Sequence, residues 1–134
     1  MVRIDDFWKS HLALAGWQHG RQFGGHLGSC LIMSVLANRQ RLGWGSWGDI
    51  LDGIPKKSSL LEQPSGYPTA WEPNFTRILA EVGSIYDGSK DYSSGGLYWC
   101  ELNKIENPWF KENILGQDTG HTIVANMNSL TIFR

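Results

Sequence analysis

The most continuous apolar pattern in the chain covers residues 28–39 and predicts a buried helix. Its apolar residues recur at the i, i+1, i+4 and i+5 spacing of one helical face, and others widen that face until little polar surface remains. They are Leu31, Ile32, Val35 and Leu36 on the face, with Cys30, Met33 and Ala37 beside it. Ser29 is expected to accept a hydrogen bond from a backbone amide of the first turn. We expect this helix to lie at the centre of the fold.

Another helix is predicted before it, from Asp5 or Asp6 to about Ala15, and Gly16 is expected to end it. Its inward-facing residues are expected to be Phe7, Trp8, Leu12 and Ala15. Between the two helices, residues 17–27 combine three glycines with glutamine, histidine and arginine. Glycines give the backbone freedom and the polar side chains supply donors, so this stretch predicts a loop that faces a ligand.

Two further helices are predicted after the central one. Residues 47–51 are expected to form a short helix ending at Gly53, and Pro73 is expected to open an amphipathic helix that Asp87 and Gly88 stop. The apolar face of the amphipathic helix consists of Phe75, Ile78, Leu79, Val82 and Ile85. On its polar side, Arg77 and Glu81 lie four residues apart, which favours a solvated ion pair.

The end of the chain is β-prone. Residues 97–99 predict a short strand or turn. Residues 121–125 and 130–133 are two β-prone runs separated by Asn-Met-Asn-Ser at 126–129, which predicts a hairpin. The chain has 134 residues, enough for one core. We therefore predict a single domain over residues 1–134 of the α+β class, mainly α, with a central buried helix and a C-terminal β-hairpin.

The charge balance argues against a nucleic-acid partner. The formal net charge is -1 and charged residues make up 19% of the chain, so no basic field is present. Seven tryptophans are more than a core of this size encloses easily. We expect some of them to line a groove.

Neither cysteine has the paired spacing of a metal or redox site. Cys30 and Cys100 are expected to be buried free thiols, and a disulfide between them stays open. No His, Cys or carboxylate cluster has metal-ligand spacing, so we predict no metal and no cofactor. No apolar run is long enough to cross a membrane, which predicts no membrane insertion. Residues 1–6 lack the profile of a signal peptide, so synthesis in the cytoplasm is expected.

An ordered set of motifs runs through two stretches of the chain. The first has Leu-Ala-Leu at 12–14, then Trp17, Arg21 and Gly28, and closes its apolar helix with Asn38-Arg39. The second has Gly88, Gly-Gly-Leu-Tyr-Trp at 95–99, Trp109-Phe110 and the closing hairpin. In this order the motifs resemble the SleB-like cell wall hydrolases, which cleave peptidoglycan. The resemblance covers roughly two thirds of the chain and implies a small lysozyme-like or lytic-transglycosylase-like domain.

The resemblance also implies a site, but this chain departs from the family at its catalytic glutamate. Matching the Leu-Ala-Leu run and Arg21 places His19 at the position of that glutamate, whereas matching the two glutamates of the family's loop places Gln18 there instead. Trp17, Arg21, Tyr98 and Trp99 are the expected substrate-binding residues. A glycosidic bond breaks only when its leaving oxygen is protonated, which an imidazolium can do and a glutamine cannot. Three other carboxylates, Asp49, Asp52 and Glu72, are expected to cap or solvate helices.

Two functions follow from the resemblance. The first is cleavage of peptidoglycan glycan strands, of the muramidase or lytic-transglycosylase type, with His19 as the candidate acid. The alternative is a non-catalytic glycan-binding or structural component of a phage virion or tail, in contact with other virion proteins. Either incorporation into a virion or release on lysis would bring a protein made in the cytoplasm to the cell wall.

Overall fold

The computed structural model describes residues 4–53, 73–101, 108–115 and 119–134. Its helices are α1 (Ile4–Gly20), α2 (His26–Arg41), α3 (Trp47–Asp52), α4 (Pro73–Tyr86) and the short α5 (Pro108–Phe110), which continues as a π-helical turn over Lys111–Leu115. The strands are β1 (Tyr98–Glu101), β2 (Ile123–Met127) and β3 (Leu130–Phe133). The predicted α+β class with mainly helical content is confirmed. No helix within the described ranges is long and apolar enough to cross a membrane.

Helix α2 is the buried centre of the fold, as the apolar pattern predicts. Every residue from 28 to 38 is buried, and the helix packs against both α1 and α4. It begins at His26, two residues before the predicted start. The expected role of Ser29 was wrong, because its Oγ donates to the Gly25 carbonyl oxygen at 3.2 Å rather than accepting from an amide.

Helix α1 extends five residues beyond its predicted end, through Gly16 to Gly20. A Cβ on Gly16 would lie 2.9 Å from the Ser29 carbonyl oxygen of α2, and one on Gly20 would overlap the backbone of Gly28. The two helices touch through their backbones at these positions, so both glycines serve packing, and Gly16 does not terminate the helix. The predicted loop over 17–27 was therefore wrong in extent. It shrinks to a 3₁₀ turn (Arg21–Phe23) and two glycines with positive φ, Gly24 and Gly25.

The predicted apolar faces of α1 and α4 are correct apart from one residue in each. Leu12 and Ala15 of α1 are buried, and so are the core residues of α4, but Phe7 is 46% and Leu79 is 47% exposed. Both lie at the border of their apolar faces. The ion pair expected of Glu81 also differs, because its carboxylate bonds Lys90 at 3.0 Å and the Tyr92 hydroxyl at 2.6 Å.

Helix α3 forms where the sequence predicts a short helix, and its first turn shows what the Asp49 carboxylate does. The Asp49 amide donates to Ser46 Oγ at 3.2 Å, and the Ser46 amide donates to Asp49 Oδ2 at 3.3 Å, a reciprocal capping box. Asp49 thus caps its helix, as expected. Asp52 is exposed at the other end of α3, and Glu72 lies outside the described residues.

Among the described residues, three strands form an antiparallel sheet in the order β1-β3-β2. The predicted hairpin is confirmed as β2 and β3, joined at Asn128 and Ser129, where Asn128 has the positive φ of 54° that a tight hairpin turn needs. Leu130 and Ile132 of β3 point into the core shared with the helices. On the opposite face, Phe133 packs edge-on against Phe110, with ring centroids 6.1 Å apart.

Asn38, near the end of α2, connects that helix to the segment before β1. Its Nδ2 lies within hydrogen-bond distance of Asp91 Oδ2 (3.1 Å), Ser93 Oγ (3.2 Å) and the Gly96 carbonyl oxygen (3.1 Å). Burial alone raises the pKa of Asp91, but the hydrogen bonds from Ser93, Gly95 and Asn38 together lower it below its usual value. These hydrogen bonds fix the turn that contains the Asp91 carboxylate against the buried side-chain amide of Asn38.

We expect Asn38→Ala to lower the free energy of unfolding by about 2–3 kcal/mol, since it leaves several buried or half-buried acceptors without their donor. Urea denaturation followed by circular dichroism measures this value. Asn126→Ala, at an exposed position on β2, is the matched control and should change it by less than about 0.5 kcal/mol. Equal losses in the two variants would contradict the role assigned to Asn38.

Both cysteines are free in the structure, as expected, although only Cys30 is fully buried and Cys100 is half-buried. Desolvation by burial raises the pKa of Cys30 to about 12 and that of Cys100 to about 11. At pH 8 a thiol of pKa about 11 is on the order of 10⁻³ thiolate, the reactive form.

The native protein should therefore react with a chromogenic disulfide reagent at pH 8 at least about 100-fold more slowly than an exposed thiol does. After unfolding in urea both thiols should react at ordinary rates. Fewer than two reactive thiols in the unfolded protein would show that the cysteines had formed a disulfide in solution.

Candidate functional site

A group of aromatic side chains surrounds Arg39 where α2, β1 and α5 meet. We call this group the aromatic cluster. It consists of Trp44, Tyr98, Trp99, Phe110 and His121, contributed by the turn after α2, by β1, by α5 and by the segment before β2. Trp44 is 46% exposed and the neighbouring Trp109 is 55% exposed, so the cluster reaches the surface. These two tryptophans are thus exposed, and the expected groove stays a prediction.

Tyr98 is the centre of the aromatic contacts. Its ring centroid lies 5.1 Å from that of His121, 5.5 Å from that of Trp44 and 6.4 Å from that of Phe110. The His121 and Phe110 rings meet it edge-on, the arrangement that the quadrupoles of aromatic rings favour. Register pairs Tyr98 with Phe133 of β3, so the cluster is fixed to the middle strand of the sheet.

Arg39 lies among these rings at the C-terminal end of α2. Its Cζ is 4.9 Å from the ring centroid of Trp99, 5.2 Å from that of Trp44 and 5.9 Å from that of Tyr98. Its Nε donates to the Leu97 carbonyl oxygen at 2.8 Å. Desolvation by burial lowers the pKa of Arg39 to about 10, against a smaller opposing effect of Tyr98. The guanidinium is still charged at neutral pH and contributes cation-π attraction within the cluster.

His19 lies beside this cluster. Its ring centroid is 6.3 Å from that of Trp99, and the residue is half-buried. Gln18, the alternative, is buried, and within the described part of the chain its Nε2 has no hydrogen-bond partner. Of the two residues that the resemblance offers for the position of the glutamate, His19 is thus the one the fold places next to partly exposed aromatic rings.

Trp17 and Arg21 form a separate contact. The Trp17 ring is buried and meets Phe75 of α4 edge-on at 6.4 Å. The Arg21 guanidinium stacks on the same Trp17 ring, with its Cζ 3.6 Å from the centroid. Residues two apart on a helix point about 200° from each other, so Trp17 and His19 face different sides of α1. The structure therefore brings His19 and Trp99 together, whereas Tyr98 contacts Trp44, Phe110 and His121, and Trp17 contacts Phe75 instead.

No family model, no curated protein and no solved structure matches the chain. The SleB-like resemblance accordingly stays a prediction drawn from motifs.

Glu101 is a carboxylate that the sequence interpretation missed. It lies at the end of β1, two residues after Trp99, and the alternation of side chains along a strand puts both on the same face of the sheet. Their cross-strand partners, Leu130 and Ile132, are both fully buried in the core that the helices cover. Glu101 therefore belongs to the face of β1 that Trp99 presents to His19. Strand alternation was the available signal, but it applies only once the strand is extended to residue 101.

The described residues contain no group of three His, Cys, Asp or Glu side chains that could hold a metal ion. What this arrangement offers chemically is a half-buried imidazole, a desolvated guanidinium and a partly exposed set of rings. Such rings suit the apolar faces of sugars, and an imidazole is a side chain that can both donate and accept a proton.

Proposed function

We propose that this protein is directed at peptidoglycan and cleaves its glycan strands, with His19 as the proton donor. The observation that carries the proposal is the position of His19 beside Trp99, at the edge of an aromatic cluster that reaches the surface through Trp44. A glycan-cleaving site needs a surface on which sugar rings can stack and an acid beside it. The SleB-like motif order supports the choice of peptidoglycan among glycans.

In this proposal the aromatic cluster, His19 and Glu101 have different tasks. The aromatic cluster holds the sugars, and the His19 imidazolium donates its proton to the glycosidic oxygen as the bond to the anomeric carbon breaks. Glu101, on the Trp99 face of β1, is the carboxylate we assign to stabilise the positive charge that develops on the sugar. The neutral imidazole then takes a proton from the attacking hydroxyl, which belongs either to water or to the sugar itself.

The test is incubation of the purified protein with isolated sacculi, followed by mass spectrometry of the soluble products. Attack by water gives muropeptides with reducing ends, and attack by the sugar's own hydroxyl gives anhydro ends. Either product supports cleavage. Sacculi that remain intact at high protein concentration, under conditions in which a known muramidase digests them, would overturn it.

The second candidate is a non-catalytic domain that binds glycan or builds part of a virion or tail. The observation that favours it is the absence of a glutamate at the position where the family has its catalytic one, together with the use of Asp49 as a helix cap. Co-sedimentation with sacculi without digestion would support binding. Detection of the chain in purified phage particles would support the structural role, and the absence of both would exclude this candidate.

A further inference from the structure

Arg39 lies beside the first residues of β1 and adjoins both faces of the sheet there. Its Nε donates to the carbonyl oxygen of Leu97, the residue before the strand, at 2.8 Å. Tyr98 and Trp99 follow each other along β1, so their side chains lie on opposite faces. The Arg39 Cζ is nevertheless 5.9 Å from the ring centroid of Tyr98 and 4.9 Å from that of Trp99. The guanidinium therefore adjoins the Trp99 side, where His19 lies, as well as the Tyr98 side.

The guanidinium has hydrogen-bond donors that no protein group uses. Within the described ranges it makes one hydrogen bond, through Nε, and no ion pair with a carboxylate. The buried polar atoms that lack a partner there are Trp17 Nε1 and Gln18 Nε2. The two terminal nitrogens of Arg39 also lack a partner but are not among the buried atoms, so they are open to solvent. Arg39 thus combines a largely desolvated cation with an accessible pair of donors.

These features suit a carboxylate as the ligand. The terminal nitrogens of an arginine form a planar fork that matches the two oxygens of a carboxylate. Much of the cost of desolvating Arg39 is already met in the free protein, and the surrounding rings offset it only in part. A phosphate is usually held by several cations or backbone amides. Arg41, the next basic residue on the helix, already donates to Asn38 Oδ1 and to the Ile85 carbonyl oxygen, which leaves one fork for one planar anion.

Peptidoglycan carries its free carboxylates on the stem peptide, because the lactyl carboxyl of muramic acid is amide-bonded to the first stem residue. The first free one is the α-carboxylate of the stem D-glutamate, which continues the stem through its γ-carboxyl. Two residue lengths, roughly 7 Å when extended, separate it from the sugar. The Trp99 centroid is 6.3 Å from the His19 ring and 4.9 Å from Arg39 Cζ, so the imidazole and the guanidinium are at most about 11 Å apart. A muramic acid placed for cleavage at His19 therefore brings this carboxylate within reach of Arg39.

We propose that the Arg39 guanidinium binds the α-carboxylate of the stem D-glutamate, so that the site selects muramic acid that carries an unamidated stem. This assignment rests on the proposed function, because it names the part of peptidoglycan that the site recognises besides the sugar. The sugar lies beside His19 and Trp99, and the stem leads from it to the guanidinium. Amidation of the carboxylate removes its charge and one of its two acceptor oxygens, and it weakens binding for that reason.

The test uses three synthetic muramyl tripeptides, N-acetylmuramyl-L-alanyl-γ-D-glutamyl-L-lysine and two relatives. The first has a free glutamate α-carboxylate and an amidated C-terminus. The second is amidated at both groups, and the third has an amidated glutamate and a free C-terminus. Each is titrated into the ¹⁵N-labelled protein, and the Nε–H resonance of Arg39, which the bond to Leu97 protects from exchange with water, is followed. We expect the first to bind with a Kd at least about tenfold lower than that of the second, and the third to bind like the second.

Variants assign this preference to the guanidinium. In Arg39→Gln, followed through the Trp44 indole resonance, the first and second tripeptides should bind alike. Arg39→Lys keeps the positive charge but not the planar fork, so the preference should fall to within about threefold. Arg77→Gln removes an exposed arginine of α4 and should retain the full preference. A full preference in either Arg39 variant would overturn the assignment.

The outcomes separate this inference from the proposed function. If sacculi are bound or cleaved but the first and second tripeptides bind the original protein alike, the Arg39 assignment is overturned and the proposed function stands. If the preference for the free carboxylate is seen but sacculi are neither bound nor cleaved, the carboxylate site stands and the proposed function falls. Tighter binding of the third tripeptide than of the first would assign recognition to the end of the stem and overturn the choice of D-glutamate. No response to any of the three also overturns it.

Discussion

His19→Ala is expected to reduce the release of muropeptides from sacculi by about 10²–10⁴-fold, the usual effect of removing a general acid. The imidazole is a titratable group that the fold places beside Trp99, with ring centroids 6.3 Å apart. Alanine removes the proton donor and leaves the stacking surface in place. Binding of the variant to sacculi, measured by co-sedimentation, should therefore change far less than the rate of cleavage.

The matched control is His11→Ala. His11 lies on the same helix, is exposed, and bonds only the Phe7 carbonyl oxygen of its own helix through Nδ1 within the described residues. It should leave the rate of muropeptide release within about twofold of the original. His19→Gln adds a second arm, because it keeps a polar side chain of similar reach but cannot supply a proton. Full activity in His19→Gln would rule out the acid role even if His19→Ala were inactive through misfolding.

Gly28→Ala should destabilise the protein by about 3 kcal/mol or more, a large share of the stability of an ordinary domain. A Cβ at Gly28 would overlap the Gly20 carbonyl oxygen and would lie 3.1 Å from the carbonyl group of Phe23. Both neighbours are backbone atoms, which cannot rotate away as a side chain can. Relief would require α1 and α2 to separate, and that movement would open the buried core between them.

Gly83→Ala is the control for this substitution and is expected to have the opposite sign. Gly83 is inside α4, and a Cβ there meets no atom within 4 Å. Alanine should stabilise the helix by about 0.5–1 kcal/mol, because glycine loses more backbone entropy on folding. Urea denaturation of both variants measures the difference. A Gly28→Ala protein as stable as the original would contradict the close helix contact.

The elements that the sequence predicts well are those whose signal is local. The apolar stripe of α2, the proline that opens α4 and the β-prone runs of the hairpin each depend on neighbouring residues, and all three are confirmed. Gly16 was misjudged because a glycine in a helix has two physical uses, ending the helix or admitting a neighbouring backbone. Only the tertiary contact with α2 decides between them.

The site was predictable in part for the same reason. The contact of His19 with Trp99 joins residues 80 positions apart along the chain, and no local pattern shows it. Arg39 and Glu101 depend on where β1 is placed against α2 and on which of its faces turns inward. The motif order placed Trp17 in the site. Because Trp17 and His19 are two residues apart on α1, their side chains point to different sides of the helix, and Trp17 contacts Phe75.

The order of strands β1-β3-β2 bears on how the protein is completed during translation. β3 is the last described element of the chain, yet it is the middle strand and the partner of both others. When the ribosome has made β1, the hydrogen-bonding partner of that strand does not yet exist, and Tyr98 and Trp99 remain without the support of Phe133 and Ile132. Helices α1, α2 and α4 can pack earlier, because they are synthesised before β1. The aromatic cluster is therefore assembled only after residues 130–133 emerge from the exit tunnel.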